Sequence, residues 1–122
     1  MVTQDKIVAV VEDDESMLKG IERLLHAYGF ATEVYSSAEA FLDRADQSKA
    51  TCAIVDIHLG GISGIELRHR LTACGSKLSV IFMTAVDDEE TQRQAVAAGC
   101  IAYLHKPFAA NVLIDALARS AA

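Results

Sequence analysis

Five polar residues stand directly behind short apolar runs of this 122-residue chain. Glu12 and Asp13 follow Ile7–Val11, Asp56 follows Cys52–Val55, Thr84 follows Leu78–Met83, and Lys106 comes shortly after Ile101–Leu104. An aspartate is disfavoured in a strand and costly to bury without a partner, so Asp56 at the end of an all-apolar run asks for one. Three carboxylates brought into one cleft repel each other, and either their pKa values rise or a cation joins them. An all-oxygen set with few protein ligands suits Mg²⁺, with Mn²⁺ as a substitute. Carboxylates, a divalent cation, an amine and a hydroxyl are the parts that phosphoryl transfer uses. One aspartate can serve as nucleophile, while Lys106 neutralises oxygen charge and Thr84 donates a hydrogen bond.

These residues share a cleft only if the apolar runs are parallel strands. The runs named above are nearly all apolar, as strands buried on both faces are, and Ala31–Tyr35 is a more mixed strand suited to an edge. Helical patterns alternate with them. Met17, Leu18, Ile21, Leu24, Leu25 and Tyr28 form a stripe ended by Gly29. Ser36-x-x-Glu39 and Ser63-x-x-Glu66 read as capping boxes, and Asp87 as the cap of a helix ending near Gly99. Val112, Leu113, Ala116 and Leu117 mark a last helix after Pro107. Five strands alternating with five helices predict a doubly wound α/β domain over residues 1–122. Ligands of such sheets bind beyond the carboxyl ends of the strands, where the winding reverses.

Composition narrows the function. The chain is 52% hydrophobic and 23% charged, with net charge −6. Eight of its 17 acids lie in the runs Glu12–Glu15 and Asp87–Glu90, and the other nine nearly balance the 11 bases. The acidity is local, and no basic stripe exists for nucleic acid. No apolar run approaches a membrane span and the N-terminal segment lacks a signal-peptide pattern, so a cytoplasmic protein is expected. Cys52, Cys74 and Cys100 read as small core residues of a reducing compartment, and the four histidines lack ligand spacing. Neither G-x-G-x-x-G nor G-x-x-x-x-G-K occurs, which removes dinucleotide and P-loop functions.

In combination the motifs identify a resemblance. Glu12-Asp13 behind Val10-Val11, Asp56 ending the third strand, Met83-Thr84-Ala85 and Lys106-Pro107-Phe108 resemble those of the receiver domains of two-component response regulators, the CheY-like family. The likeness covers essentially all of the chain. It implies a flavodoxin-like sheet of order 2-1-3-4-5 and a cis Lys106-Pro107 bond. It implies that Asp56 is the phosphoacceptor, that Asp13 binds Mg²⁺ directly and Glu12 through water, and that the His58 backbone carbonyl is a third protein ligand. By the same resemblance Thr84 and Lys106 hold phosphoryl oxygens, and Tyr103 is an aromatic switch responding to Thr84. The implied donor is a histidine kinase or phosphotransfer protein. The implied readers are a downstream protein or output domain on the surface of residues 87–120, or a second copy in a phosphorylation-dependent homodimer. Such a domain catalyses its own phosphorylation and slow dephosphorylation without being a metabolic enzyme.

One position departs from the family pattern. Gly60 stands where proline is common, and Gly60→Pro is expected to stiffen the segment carrying the His58 carbonyl and so to tighten Mg²⁺. Two rivals remain at this stage. An aspartyl-phosphate phosphatase would use a D-x-D nucleophile after the first strand, of which Glu12-Asp13-Asp14 is a poor version. A pseudo-receiver would bind partners without phosphorylation, which the complete acidic set argues against.

Overall fold

A computed structural model describes residues 6–86 and 88–120. Its elements alternate strictly: β1 (Ile7–Val11), α1 (Glu15–Ala27), β2 (Ala31–Tyr35), α2 (Ala38–Arg44), β3 (Cys52–Asp56), α3 (Gly64–Ala73), β4 (Ser79–Thr84), α4 (Glu89–Ala98), β5 (Ala102–His105) and α5 (Ala110–Ser120). The strands form one parallel sheet in the order β2-β1-β3-β4-β5. The order reverses between β1 and β3, so the cleft between their carboxyl ends is the switch point of the sheet. Three of the predicted strands lie one residue further along at one or both ends, which brings Asp56, Thr84 and His105 into the ladder as last residues.

Alternation along each strand divides the core in two. Val8, Val10, Cys52, Ile54, Ile81 and Met83 face α1 and α5, where Leu18, Ile21, Leu25, Leu113 and Leu117 cover them. Ala9, Val11, Ala53, Val55, Val80 and Phe82 face α2, α3 and α4, met by Phe41, Leu67, Leu71 and Ala95. Burial on both faces is why the strand sequences read as unbroken apolar runs rather than as alternation. β2, at the sheet edge, pairs on one side with β1 and exposes Ala31 and Val34.

The helix starts differ in detail from the sequence reading. Asp14 caps α1 by accepting from Met17 N–H, and Ser63 caps α3 by accepting from Glu66 N–H. For α2 the cap is Ser37, not Ser36, with Ser37 Oγ accepting from Ala40 N–H at 3.0 Å. For α4 it is Asp88, which accepts from Thr91 N–H at 2.7 Å; the expected cap, Asp87, lies outside the described residues. The cysteines also divide: Cys52 is a core residue, but Cys74 is exposed at the C-cap of α3 and Cys100 is only partly buried. All four histidines have exposed side chains, and no helix among the described residues is long and apolar enough to cross a membrane.

Candidate functional site at the carboxyl edge of the sheet

The strand ends converge. Glu12 at the end of β1 is 1% exposed, Asp56 at the end of β3 is 5%, and Thr84 at the end of β4 is fully buried. Carboxylates survive at such burial only when paired. The partner is Lys106, which follows β5: its Nζ donates to Glu12 Oε1 at 2.8 Å and to Asp56 Oδ2 at 3.2 Å. Asp56 Oδ1 accepts from His58 N–H at 3.1 Å, so both acceptor oxygens are held. Glu12 Oε2 takes Asp14 N–H at 3.0 Å. Asp13, exposed at the mouth, accepts through Oδ2 from Gly60 N–H at 3.2 Å across the cleft. The Lys106-Pro107 peptide bond is cis.

The close approach of the start of α3 to the end of β3 has a sequence cause in Gly64. A Cβ there would collide with the Asp56 carbonyl oxygen and the Val55 side chain. Gly64 N–H instead bonds Ile57 O at 3.0 Å, which closes the loop 57–64 tightly behind Asp56.

The electrostatics leave the cleft short of positive charge. Burial pushes the Glu12 carboxyl up, the Lys106 hydrogen bond pulls it back only in part, and the nearby Asp56 adds to the rise. Burial works against the Lys106 ammonium, yet the Glu12 hydrogen bond and the Asp56 charge together raise its pKa. One ligand oxygen from each of Glu12, Asp13 and Asp56 lies within 4.8 Å of the other two. Three carboxylates against one ammonium leave two negative charges, and the donors are all oxygen. That set fits a hard divalent cation such as Mg²⁺.

Thr84 and Tyr103 lie on a common face of the sheet. Thr84 Oγ1 donates to Val86 O at 3.1 Å and accepts from Val86 N–H at 3.0 Å, so its hydroxyl is engaged by its own loop. Phe82 pairs with Tyr103 and Thr84 with His105, which puts Tyr103 two pairs behind Thr84, on the same sheet face. The Tyr103 ring is half-buried against the core under α2, α3 and α4.

Two features were not foreseen from the sequence. Glu39 does not close a capping box at Ser36; its carboxylate crosses to the β3–α3 loop and accepts from Ile62 N–H at 3.1 Å. The Gly60 N–H that bonds Asp13 is the group a proline would delete, so Gly60→Pro would remove a contact to the Asp13 carboxylate as well as stiffen the loop. The expectation of tighter binding on that substitution therefore does not stand on stiffness alone. Hydrogen bonds from a backbone N–H to a carboxylate distant in sequence leave no periodicity or motif from which to read them.

Residues 8–118 match the family model of the response regulator receiver domain. The chain is 29% identical over 114 residues to the response regulator protein TmoT of Ectopseudomonas mendocina, covering 93% of this chain and 52% of that protein. It is 34% identical over 113 residues to the transcriptional regulatory protein FixJ of Azorhizobium caulinodans, covering 93% and 54%. The crystal structure of FixJ-N superimposes with TM-score 0.90 at 32% identity, covering 96% of this chain and 94% of that one. The chain spans about half the length of the curated relatives it matches. It belongs to the response regulator receiver domain family.

Proposed function

We propose that this receiver domain, over residues 1–122, works as a phosphorylation-driven switch. Asp56 is its acceptor, and a histidine kinase or phosphotransfer protein is its donor. In the transfer, an Asp56 carboxylate oxygen forms the new O–P bond as the N–P bond of the donor's phosphohistidine breaks. The donor imidazole leaves with that bond pair and regains a proton from solvent. The observation that carries this reading is the double engagement of Lys106 Nζ by Glu12 and Asp56. It holds an ammonium at 3.2 Å from Asp56 Oδ2, beside the place where phosphoryl charge would arrive.

Glu12, Asp13, Asp56 and the His58 backbone carbonyl are the groups proposed to hold Mg²⁺, with Mn²⁺ as a substitute. The ion would supply neutralisation of the phosphoryl oxygens. The protein's own part is positional. His58 N–H and Lys106 fix the Asp56 carboxylate from two sides, and β3 presents it at the sheet edge. Thr84 supplies the hydroxyl that would reach a phosphoryl oxygen after leaving Val86. The domain would thus promote its own phosphorylation and slow hydrolysis, and its output would be a changed surface over residues 87–120. A downstream protein, an output domain or a second copy would read that surface.

The test is labelling with acetyl phosphate or a phosphorylated kinase. Label should appear on Asp56, require Mg²⁺ or Mn²⁺, and be absent from Asp56→Asn. Stoichiometric acyl phosphate on Asp13 would instead favour an aspartyl-phosphate phosphatase, and no label on the wild type would favour a phosphorylation-independent domain.

A further inference from the structure

The loop from Ile57 to Gly64 carries the proposed His58 carbonyl ligand, and it contains two adjacent glycines. Its ends are well held: Gly64 N–H bonds Ile57 O, and Leu59 is 7% exposed. Its middle is Gly60, Gly61 and Ile62, where adjacent glycines widen the set of conformations the free loop can visit. Two hydrogen bonds from other elements reach this middle. Gly60 N–H bonds Asp13 Oδ2, from the β1–α1 turn, and Ile62 N–H bonds Glu39 Oε2, from the first turn of α2.

The second bond has a matching vacancy in the sequence. Gly61 has φ +76°, and a Cβ on it would lie 2.5 Å from Glu39 Oε2. The carboxylate therefore fills the space a side chain at residue 61 would take. Glycine is set there by the backbone conformation, and the flexible Glu39 side chain takes up the room it leaves. The Glu39 carboxyl is held below its ordinary range by its own backbone N–H and by that of Ile62, so at neutral pH it is an ionised acceptor. Nothing in helix capping requires this arrangement, since Ser37 already caps α2.

We infer that Glu39 is a positioning residue for the metal site: from α2 it tethers the Gly60–Ile62 segment, holding the loop that bears Gly60 N–H and the His58 carbonyl in the arrangement that receives Mg²⁺. This rests on the metal and phosphoacceptor reading given above. Without the tether the loop would have to be ordered at the moment of binding, and apparent affinity falls by the fraction of molecules already in the competent arrangement.

The test is Mg²⁺ titration of the chain followed by amide NMR shifts, with hydrogen exchange at Ile62 as a second readout. Glu39 is exposed, so Glu39→Ala removes the tether without opening the core. It should weaken Mg²⁺ binding by about threefold or more, the scale of one solvent-exposed hydrogen bond, and should speed exchange of the Ile62 amide. Glu39→Gln keeps an acceptor oxygen and should retain affinity within about twofold of the wild type. Wild-type affinity in Glu39→Ala, or a Glu39→Gln variant as weak as Glu39→Ala, would overturn the tether while leaving the metal site standing. Asp13→Asn separates the two readings. If it leaves the Mg²⁺ titration unchanged, the cleft is not the metal site and the tether falls with it.

Discussion

Lys106 is the residue on which the resting site depends. Its ammonium is the cation paired with two carboxylates that are nearly sealed from solvent, Glu12 and Asp56. Removing one member of such a pairing leaves the others buried and uncompensated, which costs about 3–5 kcal/mol for fully buried pairs. Lys106 is itself 19% exposed at the side chain, so water relieves part of that loss. Lys106→Met should therefore destabilise the metal-free protein by about 2 kcal/mol in urea titration. Added Mg²⁺ should recover more stability in the variant than in the wild type, because the ion then meets carboxylates with no competing ammonium. Equal Mg²⁺ increments in the two proteins would show that Lys106 and the cation do not share the same charges. The sequence alone made this residue visible, since a lysine shortly after a buried strand and just ahead of a proline is a specific pattern. Its exact pairing was not visible, because which of three carboxylates an ammonium reaches depends on side-chain geometry that spacing does not encode.

At the scale of elements, the edge strand β2 is held by a carboxylate that no motif announces. Glu33 accepts from Ser48 Oγ at 2.7 Å, Lys49 N–H at 3.2 Å and Tyr35 OH at 3.0 Å, joining β2 to the α2–β3 loop. Burial alone would raise its carboxyl, but the Ser48, Lys49 and Tyr35 hydrogen bonds outweigh it and hold the pKa below 4.5. A carboxyl with a depressed folded pKa contributes stability that is present above the unfolded value and lost as pH falls through the folded value. Unfolding midpoints should thus drop on acidification below about pH 4.5, and Glu33→Gln should remove that part of the drop. At neutral pH the same substitution should cost about 1–2 kcal/mol, since the amide cannot accept all three bonds. An unchanged acid profile in Glu33→Gln would assign the titration elsewhere. Elements like β2 were legible because a short, mixed run between two helical patterns suits an edge strand. The element ends were less so: Ser36 and Ser37 are both good caps by type, as are Asp87 and Asp88, and only backbone geometry chooses between neighbours. Likewise Glu39 satisfies the capping-box spacing yet spends its carboxylate on a different loop.

Across the whole molecule, the proposed switch must carry a change from the cleft to the α4–β5–α5 side. The Thr84 hydroxyl is engaged at both its donor and acceptor sides by Val86, so it reaches a phosphoryl oxygen on Asp56 only by giving up the Val86 carbonyl. A hydroxyl bonds a phosphoryl oxygen at about 2.5–3.0 Å, so under the proposed switch Thr84 turns towards the cleft and frees the Val86 carbonyl in the β4–α4 loop. Tyr103 lies two strand pairs behind it on the same face, half-buried, with a ring large enough to fill space that Thr84 vacates. Two packings of this pair would make a two-state element whose ratio phosphorylation biases, and each tenfold change in partner affinity needs about 1.4 kcal/mol of differential binding. Beryllofluoride with Mg²⁺, which mimics the phosphoryl group, should shift the amide signals of Thr84 and Val86 and of residues 88–108. Thr84→Ala should keep the shifts near Asp56 and lose most of those beyond Val86, because the hydroxyl that exchanges partners is gone. Tyr103→Phe keeps the ring and should retain the inward packing, whereas Tyr103→Ala should not. If beryllofluoride perturbs only residues around Asp56 in the wild type, or if Thr84→Ala transmits the change in full, coupling does not run through the Thr84–Val86 exchange, whatever the occupancy of Asp56.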